Sequence, residues 1–375
     1  MGQDIDPFRA IAISRRAHDL KEEGRRILHM EFGQPSTGAP QAAIARAHEI
    51  LDSDAMGYWE SRPLKDRISQ HYKDSYGVEV SPSRISLTCG ASPALVLALA
   101  SAFSPGDRIA IARPGYVAYR NTVRALNFEP VEIPCGEDVR FQISAAALDA
   151  LDPAPQGVII ASPANPTGAV IPDPELKAIA ATARDLGIAL ISDEIYHRLN
   201  FSGPDTTALA LDSDITVINS FSKYYCMTGW RIGWMVLPEA LVRPIERIAQ
   251  SLYISAPELS QVAAVEAFNA SAELELVKDR YARSRALLME ALPRLGLPLA
   301  APMDGAFYAY CDVTRYTNDS MDFARRMLEE AHVAATPGLD FDPVQGPRTM
   351  RFSYAGTPGD MSEAVSRLER WLARF

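Results

Sequence analysis

The sequence predicts an α/β protein built on a mostly parallel central sheet covered by helices, with a smaller α+β domain beside it. Three observations carry that reading. Short apolar segments alternate with amphipathic ones in a repeated strand, loop, helix series between residues 84 and 223. The strand segments are apolar throughout rather than at every second position, as strands buried on both faces are. From about residue 274 the texture changes to a long charged helix, two aromatic strand segments and a closing helix.

Taken in order, FRAIAISRRAHDLKEEGRRIL (8–28) has an apolar and a charged face and predicts a helix. FGQPSTGAPQ (32–41) is a turn-rich break, followed by helices expected over 41–52 and 64–75. RISLTCG (84–90) predicts a strand entering a turn, and ALVLALASAF (94–103) a buried helix with Pro93 at its first position. DRIAIARPGY (107–116), PQGVIIASPANPTG (155–168), GIALISDEIY (187–196) and ITVINSFSK (215–223) repeat the strand-to-turn scheme, with PELKAIAATARDL (174–186) as a covering helix. ELELVKDRYARSRALLMEAL then leads to the strand segments GAFYAYCDV and TMRFSYAG, and GDMSEAVSRLERWLARF closes the chain as a helix. The expected division is a large domain over 36–273 and a small one made of 1–35 and 274–375.

The 375 residues, 47% hydrophobic and 22% charged, are those of a globular chain. A net charge of −10 argues against nucleic acid and against a polybasic membrane contact. Cys89, Cys135, Cys226 and Cys311 form no CxxC pair, so neither a zinc site nor a redox pair is encoded by spacing, and free thiols are expected. No apolar run is long enough for a membrane span, and MGQDIDPF opens without a basic and apolar leader, so a cytoplasmic protein is expected.

In parallel α/β sheets, ligands sit outside the carboxyl ends of the strands. The unusual residues cluster there: Gly90 to Ser92, Tyr116, Asn165, Asp193, and Ser220 to Lys223. Of the six lysines, Lys21, Lys65, Lys73, Lys177 and Lys278 sit among charged residues on amphipathic segments. Lys223 follows a buried strand within SFSKYYCMTGWRIG and has no carboxylate within several residues. A desolvated lysine has a depressed pKa and acts as a nucleophilic amine; the plainer alternative is an ammonium reaching the surface from a loop. Ser220 and Ser222 add hydroxyls, Arg231 adds a guanidinium fork for phosphate, and Gly229 and Gly233 permit close backbone approach. Together these describe a site for an aldehyde that carries a phosphate, pyridoxal 5′-phosphate (PLP).

Such a cofactor demands further parts. Its ring nitrogen needs an anion, and Asp193 ends the strand in SDEIY, where it also reads as an N-cap. Adjacent strand residues face opposite ways, which sets Glu194 apart from that role. Asn165 in SPANPTG and Tyr196 could donate to the phenolic oxygen, although Asn-Pro and Thr-Gly are also ordinary turn chemistry. Gly90-Ala91-Ser92 before a helix offers backbone N–H groups to phosphate. Tyr116 could stack on the ring or belong to the core. Arg351, among apolar residues in TMRFSYAG, must be paired, either with a substrate carboxylate or in an internal salt bridge.

This constellation resembles the fold-type I PLP-dependent aminotransferases of class I and II, over roughly residues 8 to 373. SFSKYYCMTGWRIG looks like the family's lysine segment, and SPANPTG, SDEIY, GAFY, TPGLDF and MRFSYA resemble further family motifs in the family's order. The resemblance implies that Lys223 carries the cofactor as a Schiff base and moves the substrate's α-proton. Asp193 would bind the ring nitrogen, Asn165 and Tyr196 the ring oxygen, and Tyr116 would stack. Ala91, Ser92, Ser220, Ser222 and Arg231 would hold the phosphate, Arg351 the substrate carboxylate, and Gly33 would lie near the substrate. Tyr58 resembles the tyrosine that reaches the phosphate of the neighbouring subunit, which implies a homodimer with shared sites. After Tyr58, YWESRPLKDRI is shorter than the family's usual segment and lacks its glycine.

The implied reaction is transfer of an amino group from an L-amino acid to a 2-oxo acid; a C–S β-lyase on the same scaffold is the alternative. A serine hydrolase is disfavoured: CGASPA mimics a nucleophile elbow, but Pro93 lacks the N–H that would serve the oxyanion. No GxGxxG follows a strand, which argues against a nicotinamide dehydrogenase.

Overall fold

In the computed structural model, residues 5–53 and 56–375 are described. Strand β1 (Leu28–Met30) belongs to a four-stranded sheet, and the next seven strands form the larger one. These are β2 (Ile85–Thr88), β3 (Arg108–Arg113), β4 (Glu129–Pro134), β5 (Gly157–Ala161), β6 (Ala189–Asp193), β7 (Thr216–Ser220) and β8 (Gly233–Val236). Their spatial order is β2-β8-β7-β6-β5-β3-β4. The run from β4 through β7 is parallel, whereas β8 lies antiparallel to both β7 and β2. The smaller sheet adds β9 (Tyr308–Asp312), β10 (Val333–Pro337) and β11 (Thr349–Ser353) in the order β1-β10-β11-β9.

The two apolar faces of the large sheet explain its continuous apolar strands. Ile159, Ile191, Ile218 and Met235 pack on one side against Leu95, Leu99 and Val123 of the helices Ala91–Ala102 and Val117–Ala125. Their neighbours Val158, Leu190, Val217 and Val236 face the other way, into the cluster that holds Leu176 and Ile179 of helix Asp173–Asp185. Successive side chains alternate across a strand, so both sets must be apolar when both faces are covered.

The structure corrects several expected boundaries. The first helix is Arg9–Glu22 and stops well before residue 28, because Gly24 takes the left-handed conformation (φ 84°) and turns the chain into β1. The helix after β2 starts at Ala91 with Gly90 as N-cap, which makes Pro93 its third residue rather than its first. Elements that carried no sequence expectation include β1, β4, β8, β10 and the helices Val117–Ala125, Glu239–Leu252 and Glu258–Ala267. Strand β4 has two glutamates and two prolines in EPVEIP, and it is tolerated because it lies at a sheet edge. Strand β8 returns from β7 without a crossover helix, which forces the antiparallel sense.

This topology brings the carboxyl ends of β2, β3, β5, β6 and β7 to one edge. The reversed β8 begins at that same edge, so Arg231, two residues before it, joins them.

Candidate active site

A cleft of about 360 Å³ opens at that edge, within the range of small-molecule sites, roughly 300–1,000 Å³. Ala91 and Ser92 enter it after β2, Tyr116 after β3, and Asn165 after β5. Asp193 and Tyr196 come from the end of β6, Ser222 and Lys223 from the turn after β7, and Arg231 from the entry to β8. Gly33, after β1, and Arg351, on β11, close it from the smaller sheet.

Lys223 is partly buried, and its ammonium donates to the carbonyl of Gly33. Burial lowers its pKa to about 8, helped by the cations Arg351 and Arg231 and opposed by Asp193. Asp193 is buried, and desolvation raises its pKa against the bonds it accepts from Tyr119 Oη (2.6 Å) and the Ile195 N–H (3.1 Å). As strand alternation predicts, Glu194 faces away and accepts from Thr207 Oγ1 and the Ala208 N–H.

At the other wall, Arg351 is 5% exposed and lies between the rings of Tyr308 and Phe341, 4.4 and 4.8 Å from their centroids. It donates to Asn165 Oδ1 (2.8 Å), the Glu31 carbonyl and Thr336 Oγ1. Those three bonds leave two of its five N–H donors unused, among them a buried Nε–H. No carboxylate of the chain pairs with it among the described residues, so the internal salt bridge left open by the sequence does not form.

A third group of donors lies opposite. Gly90 has φ 95°, and a side chain there would run into the guanidinium of Arg231, which donates to the Cys89 and Thr228 carbonyls at 3.2 and 2.9 Å. Arg231 itself sits in the left-handed region at φ 52°, a backbone strain that places its guanidinium beside the start of helix Ala91–Ala102. An arginine fork, two serines and a helix N-terminus form a cradle suited to an anionic oxygen group.

Two expected residues stand elsewhere. Ser220 lies behind the cleft, its hydroxyl bonded to Ser222 Oγ at 2.9 Å and the Ile232 carbonyl at 3.0 Å. Tyr58 is 80% exposed and does not line the cleft of its own chain. Sequence reasoning also missed several lining residues. Tyr119 lies three residues past Tyr116, in the first turn of the helix that Tyr116 precedes as N-cap, a spacing that could have flagged it. Tyr308, within the GAFYAY motif, bonds the hydroxyl of Tyr196 at 2.5 Å. Phe8, Ile11 and Phe32 supply apolar walls that no motif announces.

All four cysteines are free thiols. Among the described residues no cluster of His, Cys, Asp and Glu could hold a metal ion, and no helix is long and apolar enough to cross a membrane.

The chain matches the model of the family described as aminotransferase class I and II over residues 25–368. It is 42% identical over 375 residues to a valine–pyruvate aminotransferase of Mycobacterium tuberculosis, covering 98% of this chain and 97% of that one. A (5-formylfuran-3-yl)methyl phosphate transaminase of Methanocaldococcus jannaschii is 32% identical, with 98% of each chain covered. The crystal structure of an aminotransferase from Mycobacterium tuberculosis superposes with a TM-score of 0.97 at 41% identity, covering 100% of this chain and 99% of that one. This chain therefore belongs to the class I and II aminotransferases and is a transferase of nitrogenous groups of fold type I.

Proposed function

We propose that this aminotransferase uses PLP and moves the amino group of an apolar L-amino acid to a 2-oxo acid, with valine and pyruvate as the pair. One observation carries the reading: a partly buried lysine, a buried carboxylate, an arginine with spare donors and an anion cradle share one cleft. The donor set fits the cofactor group by group. Bound PLP supplies an electrophilic carbonyl carbon and an electron-withdrawing ring.

Lys223 Nζ would hold the cofactor covalently and, when free, would carry the proton between the substrate's α-carbon and the carbon that was the cofactor's aldehyde. Asp193 would keep the proton on the ring nitrogen. Ala91, Ser92, Ser222 and Arg231 would hold the phosphate, with Ser220 fixing Ser222 from behind. Asn165 and Tyr196 would face the ring oxygen, Tyr308 would orient the Tyr196 hydroxyl, and Tyr116 would stack on the ring. Arg351 would grip the substrate carboxylate with its unused donors.

Phe8, Ile11 and Phe32 favour an apolar substrate side chain, and the M. tuberculosis relative is named for valine and pyruvate. The test is the visible absorbance of the PLP-loaded protein. L-valine alone should bleach the band, and pyruvate should restore it. A band that no apolar amino acid moves would defeat the substrate assignment.

Tyr119 is a positioning residue in this scheme. Tyr119→Phe removes a charge-assisted hydrogen bond to Asp193, so kcat should fall roughly tenfold or more at nearly constant KM. A change in KM alone would contradict the role.

We also read 36–273 as a large domain and 1–35 with 274–375 as a small one, a division consistent with the pairing of β1 with β10; residues 1–4 lie outside the described residues. A homodimer in which Tyr58 reaches the partner's cleft is supported by the exposure of Tyr58, Leu252 and Ile254 at 80%, 61% and 50%.

A further inference from the structure

Asp340 is a buried carboxylate that the reaction scheme leaves without a task. It ends a short turn, Gly338–Asp340, between β10 and β11. Its two oxygens are taken by the backbone of a distant segment: Oδ1 accepts from the Arg9 N–H at 2.9 Å, and Oδ2 from the Ala10 N–H at 2.8 Å. These are the first two N–H groups of helix Arg9–Glu22, whose own N-cap residue, Phe8, offers no side-chain acceptor. The guanidinium of Arg9 stands 3.8 Å from Oδ1, beyond hydrogen-bond distance.

A carboxylate is costly to bury unless its oxygens are used, and here their use fixes one stretch of backbone. Phe8 and Ile11 flank the two held peptides, and both line the active-site cleft. Phe8 meets Tyr116 in a T-shaped pair with ring centroids 6.0 Å apart. The far end of the segment is tied to helix Val117–Ala125. There Asp6 faces Arg120 and Arg124 at 3.2 and 3.1 Å, and its carbonyl accepts from Asn121 Nδ2 at 2.9 Å.

The next residue along the turn, Phe341, serves another part of the cleft. Its ring covers the Arg351 guanidinium at 4.8 Å, and its carbonyl accepts from the Gly115 N–H, beside Tyr116, at 3.1 Å. Two consecutive residues thus hold an apolar wall through a carboxylate and Arg351 through a ring. Covalent bonds set the distance between a substrate's carboxylate and its side chain. A wall kept in register with the carboxylate grip therefore selects side chains by size and shape.

We propose that Asp340 is a positioning residue for side-chain specificity, fixing the start of helix Arg9–Glu22 so that Phe8 and Ile11 wall the space for a branched apolar side chain; this rests on the reading of Arg351 as the carboxylate grip. The test measures, by calorimetry on the PLP-loaded protein, the dissociation constants of isovalerate and propionate, the skeletons of valine and alanine without the amine. Neither probe can react, so the comparison holds whether or not L-valine bleaches the cofactor. The wild type should bind isovalerate about tenfold more tightly than propionate, the worth of two further buried carbons. Asp340→Asn keeps one acceptor but turns an N–H group against the helix, and the preference should fall to about threefold or less. Ile11→Ala, at a position 42% exposed, should lower the preference without disturbing the core. Phe341→Leu should weaken both carboxylates alike. Equal affinities in the wild type, or an undiminished preference in either Asp340→Asn or Ile11→Ala, overturns the role of Asp340. Binding of neither carboxylate would instead remove the Arg351 grip, and this role with it.

Discussion

Lys223→Ala should lower kcat/KM for L-valine by about 10⁴-fold or more, the upper end of what one proton-transferring group contributes, while PLP remains bound. The cradle of Ser92, Ser222 and Arg231 is untouched by the change, so the cofactor's absorbance should still travel with the protein through gel filtration. The amine itself has no substitute: the other five lysines lie outside the cleft. Burial and two neighbouring cations put the Lys223 pKa at about 8, against 10.5 for an ordinary lysine. Only the neutral amine attacks a carbonyl. Capture of PLP by the cofactor-free protein should therefore quicken as pH rises, with its midpoint near 8 rather than above 10. Turnover by Lys223→Ala within an order of magnitude of the wild type would remove the lysine from the mechanism.

Arg351→Ala should raise KM for amino acids and lower kcat/KM roughly 30-fold to several thousandfold, as expected when one side of a buried charged contact is lost. The guanidinium is fixed before substrate arrives by Asn165, the Glu31 carbonyl and Thr336, and by the rings of Tyr308 and Phe341. That preorganisation means little entropy is lost on binding a carboxylate. Arg351→Lys keeps the charge but not the fork, and should recover only part of the loss. PLP affinity should change far less than KM in either variant. A KM unaltered in Arg351→Ala would contradict the assignment, since no other unpaired arginine reaches the apolar side of the cleft.

The amino-acid sequence by itself determined the parallel core of the sheet, β2, β3, β5, β6 and β7, and singled out the lysine. Strands apolar at every position reported burial on both faces, and the odd residues at their carboxyl ends marked the edge where a ligand would bind. Periodicity speaks only of a residue's own element, however, and it is silent about partners brought in from elsewhere. The bonds that complete the cleft join residues far apart in sequence: Tyr119 to Asp193 across 74 positions, Tyr196 to Tyr308 across 112, Asn165 to Arg351 across 186. Only the packed structure could show that Asp193 is steadied by Tyr119, or that Ser220 stands behind Ser222 instead of in the cleft. The same holds for Phe8 and Ile11, which wall the cleft from the start of a helix with no chemical motif in it. Strand β8 escaped notice because its direction is set by the return from β7, a constraint of chain connection rather than of composition.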